Sequence, residues 1–116
     1  MTTDDMRAHI EQLITAARAA RPPDDGLIVH WTTDRDNACM ISDNELHLPV
    51  IRDAKDYATA LHELGHLLGR YQRSNNALLR ERWAWVWARR TALTWTRTME
   101  AEAVASLAWY VNRMKQ

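Results

Sequence analysis

His62 and His66 stand four residues apart in a stretch whose apolar residues recur at helical spacing, and this pairing constrains the chain more than any other feature. Residues four apart on a helix share a face, so the two imidazoles project side by side and can chelate one metal ion. Glu63, one residue on from His62, points to the flank of that ion. A carboxylate there can take a proton from a metal-bound water. The stretch His62-Glu63-Leu64-Gly65-His66 therefore fits H-E-x-x-H, which joins two Zn2+ ligands to a general base. Leu64, Leu67 and Leu68 make its flanks apolar, as a buried active-site helix requires. The competing reading is a chance helix carrying two surface or core histidines; the apolar flanks favour the metal site.

The chain has 116 residues, which predicts one domain, 1–116, with a modest single core. Its one cysteine, Cys39, excludes an intrachain disulfide and is expected to be a small core residue. The start, Met1-Thr2-Thr3-Asp4-Asp5, is acidic and polar, unlike a signal peptide. No apolar run approaches the length of about 18 residues needed to span a membrane. The expectation is a cytoplasmic protein with no membrane partner. Formal net charge is zero but unevenly spread: Arg70, Arg73, Arg80, Arg82, Arg89, Arg90 and Arg97 face a single nearby acid, Glu81. Such a stretch could meet nucleic acid, but a solvated helix face is the commoner outcome, and nucleic acid is not expected.

Periodicity predicts an α+β fold. Residues 4–20 read as a helix, with Ile10, Leu13, Ile14 and Ala17 on one face and Asp4 or Asp5 as cap. Arg21-Pro22-Pro23-Asp24-Asp25-Gly26 ends it. Short β-rich runs at 27–31, 39–41 and 45–50 predict about three strands in a mainly antiparallel sheet, with a turn at Asp43-Asn44. Leu46, Leu48 and Val50 would face one way, Glu45 and His47 the other. Asp53 can cap the next helix, with Asp56 in a capping-box-like role. Tyr57, Ala58, Leu61, Leu64 and Leu68 trace its apolar stripe, and Gly69 stops it. Two more helices, 78–94 and 98–114, follow the loop signal Ser74-Asn75-Asn76.

A catalytic zinc usually takes three protein ligands. Gln72 occupies the position where a third histidine would follow H-E-x-x-H-x-x-G, and a neutral amide is a poor zinc ligand. Glu81, fifteen residues after His66 and the only acid between Glu63 and Glu100, is the better candidate. Ala84 and Ala88 share its face and would let its helix approach closely, with Gly65 making room from the other side. The alternative is that Glu81 only balances the neighbouring arginines. Glu100 and Glu102 are fallbacks, and His47, Tyr57 and Tyr71 are candidates for stabilising an oxyanion.

Trp83, Trp85, Trp87, Trp95 and Trp109 crowd the last third of a chain that has no Phe. Aromatics among arginines can stack on nucleic acid bases. Core packing, with Trp as the large apolar residue, is the commoner use. A helix apolar all round would be buried on both sides, as in a homodimer or with a bound partner.

The stretch His62-Glu63-Leu64-Gly65-His66-Leu67-Leu68, followed by Glu81-Arg82-Trp83-Ala84, resembles the ImmA/IrrE-type metallopeptidases, and among them the small proteins of bacterial genomes and prophages. Those often carry HELGH and then a helix with an E-x-x-A signature. The resemblance is best over residues 45–95. It implies a minimal zincin-like (gluzincin-like) fold, zinc held by His62, His66 and Glu81, and cleavage of a protein or peptide substrate with Glu63 as general base. Some relatives cut a repressor. Larger ones add domains such as a helix-turn-helix, for which this chain is too short, and the segment from His66 to Glu81 is short for the family. In zincins a strand runs above the metal helix; Glu45–Val50 is expected in that place, offering its edge to an extended peptide. The rival expectation is a catalytically silent zinc protein of phage or prophage origin that regulates a partner by docking.

Overall fold

A computed structural model describes residues 1–114; the last two positions of the expected 1–116 domain lie outside them. Element order is α1 (Thr3–Ala19), β1 (Ile28–Thr32), a short 3-10 turn (Arg35–Asn37), β2 (Cys39–Ser42), β3 (Glu45–Pro49), α2 (Ala54–Leu68), α3 (Ala77–Thr91) and α4 (Arg97–Met114). This is the α+β fold expected, with boundaries shifted by one to three residues. None of the described helices is long and apolar enough to cross a membrane.

Helix α1 is capped by Thr2, not by Asp4 or Asp5. The Thr2 hydroxyl accepts the Asp5 N–H while the Asp5 carboxylate accepts the Thr2 N–H, a reciprocal capping box. Met6, Ile10, Ile14 and Ala17 form its buried face. At α2 the Asp53 carboxylate accepts the Asp56 N–H as expected. The Asp56 carboxylate reaches further, to the Arg52 N–H and to the guanidinium groups of Arg52 and Arg35. Asp56 is fully buried, and burial alone would raise its pKa; the Arg52 and Arg35 contacts outweigh it and hold the carboxyl below its ordinary value. That pairing fastens the 3-10 turn to the start of α2.

The sheet has strand order β1-β3-β2. The β2–β3 pair is an antiparallel hairpin, but β1 runs parallel to β3 in the register His30 opposite His47. The sheet is thus mixed, not mainly antiparallel, and β3 lies in its centre. The 3-10 turn is the crossover that makes this possible: it carries the chain from β1 past β3, so the hairpin returns β3 between its neighbours. Because both edges of β3 are hydrogen-bonded, it cannot receive a peptide as expected. The free edge on that side belongs to β2.

Leu46 and Leu48 point inward and are fully buried, joining Tyr57, Leu61 and Leu64 of α2 and Ile10 of α1 in one core. Burying each such side chain is worth roughly 1.5–3 kcal/mol. Helix α2 is covered by the sheet, α1, α3 and α4 together, so nine of its residues are buried, including His62 and Glu63. Its stripe ends one turn early: Leu68 is exposed. Cys39 is exposed on β2 instead of filling the core.

Candidate metal centre

Two helices build the site. On α2, His62 and His66 project from one face with ring centroids 4.6 Å apart. Helix α3 brings Glu81 between them. One Glu81 oxygen lies 2.6 Å from His62 Nε2 and the other 3.1 Å from His66 Nε2. All three residues offer ligand atoms within 4.8 Å of one another. Such closeness needs the helices nearly in contact. It occurs at Gly65, where an added Cβ would sit 2.5 Å from the Ala84 carbonyl oxygen. Gly65 and Ala84 thus occupy the close contact that the sequence assigned to small residues.

Electrostatics in the site are strongly coupled. Burial would lower the His62 pKa, but the Glu63 and Glu81 carboxylates outweigh it and push it up to about 9. Burial would conversely raise Glu81; the two histidines hold it well below the usual carboxylate range. Glu63 Oε1 lies 3.4 Å from His62 Nδ1, at the side of the trio. Two imidazole nitrogens and one carboxylate, converging in a buried pocket, form a donor set suited to Zn2+. The residues present fit that ion.

Gln72 lies beside the trio, hydrogen-bonded to His66. Its Oε1 lies 2.9 Å from His66 Nδ1, and its amide nitrogen donates to the carbonyls of Arg80 and Arg70. With the amide oriented this way, His66 Nδ1 is the donor to Gln72, which turns Nε2 toward Glu81. Trp85 stacks flat on His62 at 4.2 Å, with 6° between the rings. Its Nε1 is buried with no hydrogen-bond partner among the described residues.

The trio faces a cleft of about 360 Å³. Ala38, which follows the 3-10 turn, and Cys39 and Met40 of β2 form one wall; Arg80, Ser106 and Tyr110 complete it. Burial and then the adjacent Glu81 carboxylate push the Tyr110 phenol up to about 12, which keeps it a proton donor. Sequence reasoning missed Tyr110. Its signal was the spacing Met99, Ala103, Ser106, Tyr110, which continues the inward face of α4.

Other expected participants are elsewhere. His47 lies against His30 on the outer face of the sheet. Tyr57 is in the core, its hydroxyl 2.6 Å from His9 Nδ1 and accepting the Leu93 N–H. Tyr71 is exposed and packs edge-on against Trp83. None of the three lines the cleft. Glu100 is engaged by Arg89 and Trp95, and Glu102 by Lys55. Of the tryptophans, Trp85 is buried and Trp87 and Trp95 pack against the core, whereas Trp31 and Trp109 are exposed. Within the chain, Glu81, Ala84, Trp85 and Ala88 are the buried residues of α3.

Compared with protein-family models, with curated proteins and with solved structures, the chain finds no match. Functional inference therefore rests on the chemistry of the site.

Proposed function

We propose that the chain is a zinc-dependent metallopeptidase of the ImmA/IrrE type, acting on a protein or peptide substrate in the cytoplasm. One observation carries this reading: His62, His66 and Glu81 converge on a pocket open to a cleft, with the Glu63 carboxylate beside them. A purely structural zinc is usually closed by four protein ligands, whereas a hydrolytic one keeps a position for water or substrate. The trio here offers three.

Zinc held by His62, His66 and Glu81 would polarise a scissile carbonyl and acidify a water. Glu63 would accept a proton from an attacking water and return it to the leaving nitrogen, so that water is added across the C–N bond and the acid and amine products balance. Tyr110, held protonated, is placed on the cleft wall to donate a hydrogen bond to the carbonyl oxygen as negative charge develops there. The open edge of β2 presents backbone N–H and C=O groups at the cleft, where an extended peptide can add as a strand.

The test compares wild type with Glu63→Gln, both zinc-loaded, on unfolded casein and on a bacterial lysate read by N-terminal proteomics. The expected result is new termini with wild type and none with the variant, at equal zinc content. Equal cleavage by both would overturn the mechanism, and no cleavage by either would favour a docking protein with a silent zinc site.

A further inference from the structure

Strand alternation turns Leu46 and Leu48 into the core and leaves Glu45 and His47 on the other face of the sheet, away from α2. The parallel register then places His30 of β1 directly beside His47. The rings sit 4.7 Å apart and tilted by 54°, and His30 Nε2 lies 2.8 Å from Glu45 Oε1. All three side chains offer ligand atoms within 4.8 Å of one another. Among the described residues, no Lys or Arg pairs with Glu45.

We propose that His30, Glu45 and His47 form a second metal site, for a divalent transition ion such as Zn2+ or Ni2+, on the open face of the sheet. Two imidazoles and one carboxylate select such ions over Mg2+ or Ca2+, which prefer oxygen ligands throughout. The ligands come from paired strands instead of loops, so little backbone freedom is lost on binding. The site is more exposed than the α2–α3 centre and leaves positions for water, so it binds more weakly and exchanges faster. Bound metal joins β1 to β3 across their parallel pair, which lacks a tight turn to hold it. This inference is independent of the peptidase reading.

The experiment measures Zn2+ and Ni2+ stoichiometry of the tag-free protein by equilibrium dialysis and elemental analysis. Wild type is expected to bind two equivalents of Zn2+, and His30→Gln/His47→Gln one. Thermal melts of His62→Gln/His66→Gln with Ni2+ give a second reading: the melting temperature rises, and the rise disappears when all four histidines are replaced. If that double variant fails to fold, the dialysis comparison decides, because the His30 and His47 substitutions lie outside the core. A Zn2+ stoichiometry that His30→Gln/His47→Gln leaves unchanged would overturn the proposal.

Discussion

The α-carbon of Gly65 faces the Ala84 carbonyl so closely that a Cβ there would lie 2.5 Å from its oxygen. This contact sets the distance between α2 and α3, and so the distance between the two histidines and Glu81. Gly65→Ala would gain up to about 1 kcal/mol in helix propensity. The clash is with backbone, which cannot rotate away, and overpacking of this kind costs roughly 1–3 kcal/mol. The variant is therefore expected to be less stable in urea denaturation and to bind zinc more weakly, because Glu81 is displaced. Equal or greater stability with unchanged zinc affinity would contradict the role given to Gly65.

Proton binding at His62 makes metal-free stability depend on pH. Its pKa rises from 6.5 to about 9 on folding, burial being outweighed by Glu63 and Glu81. A group with a raised folded pKa contributes fully below its unfolded value, and the contribution is lost as pH climbs through the folded one. Urea denaturation in chelator should show stability falling between pH 6.5 and about 9, with a flatter profile in His62→Gln. Zinc affinity should rise across the same interval, since the ion must displace the proton. Stability that is constant or rising over that range would contradict this coupling.

Tyr110→Phe removes the one phenol on the cleft wall without removing a ligand. If Tyr110 steadies developing charge, peptidase turnover falls by roughly 10²-fold, as for other single donors of this kind, while zinc affinity stays unchanged. Stopped-time assays on casein alongside zinc competition titrations measure both. A fall in zinc affinity matching the loss of turnover would mark Tyr110 as structural.

The helices and the H-E-x-x-H face were legible because they depend on local periodicity: His62 and His66 must share a side of any helix that contains them. Glu81 was legible for a similar reason, since small residues at Ala84 and Ala88 implied close packing. Strand order was not legible. Nothing local tells β3 to insert between β1 and β2; the Arg35–Asp56 pair that fixes the crossover joins residues 21 apart in sequence. The wrong edge strand followed from that, as did the misplacement of His47. The contact of Gln72 with His66 was not legible either, because it depends on the fold of the 70–76 loop, where Tyr71 takes a φ of 62°.

The central claim is that α2 and α3 together make one zinc site, and Glu81→Gln tests it most directly. The substitution keeps the shape of the side chain and replaces a ligand carboxylate by an amide. Competition with a chromophoric chelator measures zinc affinity in wild type, Glu81→Gln and the control Glu100→Gln, all on the His30→Gln/His47→Gln background to isolate this centre. Glu81→Gln should lose roughly 100-fold or more, beyond the 10–100-fold range typical of an outer partner, while Glu100→Gln keeps full affinity. Undiminished zinc affinity in Glu81→Gln would contradict the two-helix site.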